Sequence, residues 1–209
     1  MSTESPVEVR RLALVLASDD ALGGAPPGVD AEAFARCCLL DSYEVLADLV
    51  GVASGVAGGG GDLDDLLWPG ALRPPPGPSL RALATSLADQ GWTELVLVSA
   101  DVPDLPGLVV AKVFRALRRA DVCVAPERGG TGCVALGVRL PWPSWLDDLD
   151  LDANPVSHLR GIAPDGARVA VGPDWHRLRT SGSVARLDPG LEGWELTRAL
   201  LSGASLVPR

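Results

Sequence analysis

Asp101 is the residue of this chain best placed to do chemistry. It closes the run Glu94-Leu95-Val96-Leu97-Val98-Ser99-Ala100 and opens the turn Val102-Pro103-Asp104-Leu105-Pro106. The run is short, apolar and β-branched, with turn residues at its end, as in a strand buried on both faces. Ligands of open α/β sheets bind outside the carboxyl ends of the strands. A carboxylate there can hold a metal ion or a sugar hydroxyl. An Asp before Pro also serves as a plain turn or helix cap.

Two further segments carry functional side chains. The loop Ala125-Pro126-Glu127-Arg128-Gly129-Gly130-Thr131-Gly132 allows close backbone approach to a ligand at Gly129 and Gly130. In it, Arg128 suits a phosphate or carboxylate, and Thr131 can donate a hydrogen bond. The same residues equally suit a tight hairpin between two strands. The second segment is Trp175-His176-Arg177-Leu178-Arg179-Thr180, followed by Arg186-Leu187-Asp188-Pro189-Gly190. His176 and the arginines offer cationic donors, and Asp188 offers a second carboxylate; a lone His is also a common structural residue.

Other candidates are weaker. The loop after the first expected strand holds Asp19 and Asp20 and no Lys or Arg, and it lacks the Gly-x-Gly-x-x-Gly and P-loop patterns. Adjacent carboxylates repel a polyphosphate unless a metal sits between them, so a solvated loop is the plainer expectation. The acidic run Asp147 to Asp152 lacks the central Gly and closing Glu of a calcium loop and reads as a solvated face. No Ser-His-Asp elbow and no Cys-His pattern is present. None of the four cysteines (Cys37, Cys38, Cys123 and Cys133) pairs as Cys-x-x-Cys, which points to buried free thiols and a reducing, cytoplasmic setting.

The elements that must position these residues follow from periodicity and turn chemistry. Strands are expected at Val9–Ala17, Val52–Ala57, Leu95–Ala100, Asp121–Pro126, Cys133–Leu140 and Ala167–Val171. Helices are expected from an Asp30 cap to about Leu49, at Leu80–Asp89 behind a Ser79 cap, and at Gly107–Arg119, Pro155–Ile162 and Leu191–Leu201. Asp62–Trp68 suits one helical turn, Ala71–Pro78 an extended proline-rich segment, and Pro141–Asp152 a loop with a short helix. Alternating strands and helices imply a three-layer α/β/α fold with a mainly parallel sheet. The 209 residues, 47% hydrophobic, favour one domain over residues 1–205. Leu206, Val207, Pro208 and Arg209 match the left half of a thrombin site and are set aside as a vector remnant.

A net charge of −9 argues against a general nucleic-acid binder, which needs a basic face. No apolar run approaches the roughly 18 residues of a membrane span. Lys112 is the only lysine, and the abundance of Ala, Gly and Pro suggests a GC-rich bacterial genome.

The motif Asp101-Val102-Pro103-Asp104-Leu105-Pro106 after a buried strand, then Ala125-Pro126-Glu127-Arg128-Gly129-Gly130, then Leu187-Asp188-Pro189, resembles the GT-A-fold nucleotidyl- and glycosyltransferases. Two small bacterial groups look most similar. One is an uncharacterised GT-A glycosyltransferase-like family with Asp-x-Pro-x-Leu and Pro-x-x-Asp-Gly-Gly. The other is 2-phospho-L-lactate guanylyltransferase, with Asp-x-Pro and Gly-Thr-Gly before a strand. The resemblance implies a nucleotide or nucleotide-sugar under the strand ends and a divalent metal, Mg²⁺ or Mn²⁺. It places Asp101 and Asp188 on the metal carboxylates; the glycine loop and the cationic segment described above supply the substrate-binding candidates Arg128, Gly129, Gly130, Thr131, His176 and Arg186. This chain departs from the pattern in three loops. Asp19 and Asp20 replace a basic glycine-rich segment, Arg128 replaces the Asp before Gly-Gly, and Arg186 replaces the first Asp of the late pair. The expectation is a transferase-like protein with weakened or lost turnover that prefers ligands with less phosphate than a triphosphate. The alternative is a non-catalytic relative acting as a binding or partner protein.

Overall fold

The computed structural model describes residues 8–59, 63–75 and 77–203, without the side chain of Asp19. The segment 206–209 and the start of the expected turn at Asp62 lie outside the described residues. A six-stranded sheet forms the middle layer. Its strands are β1 (Arg11–Leu16), β2 (Ala53–Ala57), β3 (Glu94–Ser99), β4 (Val122–Pro126), β5 (Cys133–Arg139) and β6 (Val169–Val171). Among the described residues five α-helices accompany them: α1 (Ala31–Ala47), α2 (Leu80–Asp89), α3 (Gly107–Leu117), α4 (Pro155–Ile162) and α5 (Glu195–Leu201). Across the sheet the order is β2-β1-β3-β5-β4-β6. All pairings are parallel except β3–β5 and β4–β5. β5 therefore runs against both neighbours, returning from β4 through the glycine loop and inserting beside β3.

The period-2 alternation of the strands builds the layers. Ala13, Val15, Val96, Val98, Cys123 and Ala125 face one side, against Leu40, Tyr43 and Leu46 of α1 and Val110, Val113 and Leu117 of α3. Leu12, Leu14, Leu95, Leu97, Val122 and Val124 face the other, against Leu83 and Leu87 of α2 and Leu159 of α4. This is the expected three-layer α/β/α arrangement, with Val9–Ala17 and Leu95–Ala100 adjacent at its centre. β3 is buried at every position, as its unbroken apolar run requires.

Local chemistry explains most boundaries. Asp30 caps α1 by accepting from the Ala33 N–H at 2.7 Å, and Ser79 caps α2 by accepting from the Ala82 N–H at 3.1 Å. Gly91, at φ 84°, turns the chain after α2. The proline-rich segment covers the edge of β2. Leu72 donates to the Ser54 carbonyl and accepts from the Val56 N–H, at 2.9 and 3.0 Å. The prolines after it carry no N–H to extend that pairing. At Gly55 a Cβ would lie 2.0 Å from the Leu72 carbonyl oxygen, so this approach needs glycine.

Two expectations differ. The closing helix starts at Glu195 rather than Leu191, because Gly193 and Trp194 both take positive φ. Its free N–H groups at Leu196 and Thr197 are met by the buried Asp41 carboxylate of α1, at 3.1 and 2.7 Å. The segment Pro141–Asp152 holds no helix; it makes turns, closed by Trp142 donating to the Leu146 carbonyl at 2.9 Å.

Candidate functional site

Asp101 sits two residues beyond the carboxyl end of β3 and is fully buried. A bare carboxylate there would be strongly unfavourable, because desolvation disfavours the charged form. The chain supplies its counter-charge from far away in sequence. The Nε–H of Arg177 donates to both Asp101 oxygens, at 2.7 and 3.0 Å, and the Arg177 side chain is only 2% exposed. The backbone completes the join: the Leu178 N–H donates to the Asp101 carbonyl at 2.9 Å.

Arg177 reaches three carboxylates. Its Nη1 donates to Asp152 Oδ1 at 2.5 Å and to the Cys133 carbonyl at 3.3 Å, and its Nη2 donates to Asp20 Oδ2 at 3.1 Å. Arg179 lies alongside. It bonds Asp152 through Nη2, stands 3.8 Å from Asp20 Oδ2, and has Nε 3.5 Å from Asp101 Oδ2. Three carboxylates against two guanidiniums leave the cluster one unit negative. Burial pushes the Asp101 carboxyl above its ordinary value, and Arg177 and Arg179 pull it part of the way back. Asp152 is held below its ordinary value: partial burial acts against this, and the two guanidiniums outweigh it.

Asp104 secures the other end of the same loop. Its side chain is fully buried; Oδ1 accepts from the Trp175 indole N–H at 3.1 Å, and Oδ2 accepts from the Asp188 N–H at 3.4 Å. His176 is buried and stacks on Trp175 with ring centroids 5.0 Å apart. Its Nε2 stands 3.0 Å from Asp104 Oδ1 but off the hydrogen-bond direction.

The residues singled out from sequence fall into two groups. Asp101 and His176 come together with the Arg177–Arg179 segment at the strand ends. Asp188 joins the same loop through its backbone, while its exposed carboxylate accepts from the Gly190 N–H at 2.8 Å, as in an Asx turn. Arg186 is exposed at the end of a 3₁₀ turn, Ser181–Arg186. Arg128 is exposed, pairs with Asp174 at 3.0 Å and lies over the Trp175 ring at 5.3 Å. Gly129 takes φ 75°, and a Cβ on Gly130 would sit 2.2 Å from the Glu127 carboxyl carbon, so the glycines shape the β4–β5 hairpin. Thr131 ties that hairpin to the acidic segment by donating to the Asp152 carbonyl at 3.1 Å.

Sequence reasoning missed Asp20 and Asp152, which it took for solvated loop residues, and it did not pair Arg177 with Asp101. The available signal was an Arg-x-Arg in a chain otherwise acidic at its loops. Magnesium or manganese at Asp101 would need open lone pairs. Both oxygens instead face the Arg177 guanidinium, whose positive charge repels a second cation, and among the described residues no group of three or more His, Cys, Asp or Glu side chains is disposed to hold a metal. The residues present therefore do not fit a divalent ion in this arrangement.

A cleft of about 590 Å³ opens past the ends of β1 and β2. Ala17 and Ser18 after β1, Gly59 after β2, and Asp30, Arg36 and Leu39 of the α1 region line it. It lies at the carboxyl ends of two adjacent parallel strands and the start of a helix. Ser18 links it to the ion cluster, because its hydroxyl donates at 2.9 Å to Asp20 Oδ2, the oxygen that Arg177 also contacts. Among the described residues no helix is long and apolar enough to cross a membrane.

No protein-family model and no curated protein sequence matches the chain. Solved structures do. A protein of Desulfovibrio desulfuricans G20 assigned as a nucleotide-diphospho-sugar transferase is 19% identical, with a TM-score of 0.64 over 96% of this chain and 100% of that one. The synthetase for CMP:2-keto-3-deoxy-manno-octonic acid, solved with CTP, is 8% identical, with a TM-score of 0.55 over 94% of this chain and 99% of that one. Rv0371c of Mycobacterium tuberculosis H37Rv, solved with manganese, is 14% identical, with a TM-score of 0.53 over 88% of this chain and 100% of that one. At these identities the likeness is one of fold, and the chain has the nucleotide-diphospho-sugar transferase-like α/β fold that its loop motifs resemble.

Proposed function

We propose that the protein binds a nucleotide or nucleotide-sugar at the carboxyl ends of β1, β2 and β3 and acts as a transferase-like protein. The observation that carries this reading is the cleft lined by Ser18, whose hydroxyl is hydrogen-bonded to Asp20 of the buried Asp101 cluster. Its volume lies within the roughly 300–1,000 Å³ of small-molecule sites. A CTP-bound synthetase of the same fold supports a nucleotide as ligand. Four free, buried cysteines support the reducing, cytoplasmic setting. The second reading, a non-catalytic binding or partner protein, is favoured by one observation: Asp101 is neutralised from within the chain rather than left open for a reacting group.

A thermal-shift screen of nucleotides and nucleotide-sugars tests the proposal. A ligand that binds only the folded state stabilises it by about 2.7 kcal/mol at a hundredfold excess over Kd. At least one nucleotide or nucleotide-sugar is expected to raise the unfolding temperature. Uniform silence across mono-, di- and triphosphates of all bases would reject the proposal. Pyrophosphate or nucleoside diphosphate release with an acceptor separates a transferase from a binding protein.

A further inference from the structure

We infer that Arg177 is the resident cation of this site, occupying the place of a divalent metal, so that ligand recognition here is independent of Mg²⁺ and Mn²⁺. Three carboxylates from three separate loops surround one guanidinium: Asp20 after β1, Asp101 after β3 and Asp152 before α4. Carboxylates gathered this closely, one of them buried, require a compensating cation. Here the cation is part of the chain. Each of the three guanidinium nitrogens of Arg177 faces one carboxylate, Nε toward Asp101, Nη1 toward Asp152 and Nη2 toward Asp20. That division uses the rigid planar fork of arginine, which a lysine ammonium could not reproduce.

The substitution is not readily reversed by added metal. Arg177 is 2% exposed and Asp101 is buried completely, so an incoming ion would have to expel a buried guanidinium as well as shed its own water. Arg177 is also anchored through its neighbour, since the Leu178 N–H donates to the Asp101 carbonyl.

The exchange changes what the site can recognise. A divalent ion keeps open coordination positions and bridges phosphate oxygens. Arg177 spends its donors on the protein's own carboxylates and on the Cys133 carbonyl. The cluster as a whole remains one unit negative even with Arg179 included. A triphosphate therefore meets no net positive charge at these residues. The ligand class that fits is a nucleoside, a nucleoside monophosphate, or the hydroxyl-rich sugar end of a nucleotide-sugar. This choice of ligand rests on the nucleotide-binding reading; the role of Arg177 toward metal does not.

The experiment has a metal arm and a ligand arm, both on the full chain. In the first, Mn²⁺ alone is titrated against wild type, Arg177→Ala and Arg177→Gln, with free Mn²⁺ followed by electron paramagnetic resonance and folding by circular dichroism. Wild type is expected to take up no equivalent of Mn²⁺ at the cluster. Removal of the guanidinium should open the three carboxylates, so that at least one variant binds one Mn²⁺ and unfolds at a higher temperature with it than with chelator. A variant that folds only in the presence of Mn²⁺ supports the inference equally. One equivalent bound by wild type and lost in Asp101→Asn overturns it, as do folded Arg177 variants indifferent to Mn²⁺. With both variants unfolded under all conditions, the wild-type titration decides. In the ligand arm, affinities for CMP, UDP-glucose and CTP are measured in chelator and in Mn²⁺. Equal affinities in the two buffers support the inference, and an increase of about tenfold or more with Mn²⁺ overturns it. Absence of nucleotide binding in both buffers defeats the nucleotide reading and leaves the metal arm to judge Arg177.

Discussion

Replacing Asp41 with asparagine should make stability much less sensitive to pH. Asp41 is fully buried and accepts from the backbone N–H groups of Leu196 and Thr197 at the start of α5. Burial is the main force on its carboxyl, and even with those hydrogen bonds pulling the other way its pKa is pushed up to about 6. In the unfolded chain an Asp titrates near 3.9. Between these values the folded state holds the proton more tightly. The contribution of Asp41 to stability therefore falls as pH rises through that window and levels off above it. Integrated from about pH 4.5 to about pH 7.5, the loss is about 2 kcal/mol. Asparagine does not titrate. It keeps one acceptor for Leu196 but turns an NH₂ toward the Thr197 N–H, a roughly constant cost of about 1–3 kcal/mol at either pH. Urea unfolding at the two pH values gives the comparison, with the slope m checked for constancy. The stability difference between variant and wild type should move by about 2 kcal/mol in the variant's favour at the higher pH. Profiles parallel to within about 0.5 kcal/mol would refute the account of a desolvated, ionisable cap.

Two more outcomes are expected. Gly55→Ala should destabilise the protein by about 1–3 kcal/mol in urea, because the new methyl meets the Leu72 carbonyl oxygen at 2.0 Å and one of the two chains must shift. The four cysteines, all free and buried, should resist a thiol reagent at neutral pH in the folded protein and all react once it is denatured; burial pushes Cys37 and Cys123 up to about 11 and Cys133 to about 12, leaving little thiolate.

The central strand and Asp101 were legible because their signals are local. An unbroken apolar run ending in Val-Pro-Asp-Leu-Pro marks a buried strand and its exit with no reference to the rest of the chain. The caps at Asp30 and Ser79 are local for the same reason. The partners of Asp101 were not legible, because neutralisation acts across sequence. Nothing near Asp20 or Asp152 distinguishes a carboxylate aimed at a guanidinium from one aimed at water. Arg177 was visible as a cationic candidate, but its target lies 76 residues earlier. The start of α5 was misplaced for a related reason: its first N–H groups are capped by Asp41, about 155 positions away, and not by a neighbouring Ser or Asp. The antiparallel insertion of β5 likewise depends on which strand edge the glycine hairpin meets, a tertiary choice.

The separation of Asp101 from Arg177 also bears on how the polypeptide is made. Synthesis proceeds from the N-terminus at roughly 5–20 residues per second, and domains fold as units once enough chain has emerged. The first five strands are complete when Arg139 leaves the ribosome, but the counter-charge for the centre of the sheet is still to come. Until then a nascent chain can bury Asp101 only by protonating it or leave the end of β3 wet. The ion pair can therefore form only late in synthesis, after Arg177 has been added. A product truncated before Arg177 retains most of its apolar strands yet lacks the charge that lets them close, and it should present that open sheet to chaperones and proteases.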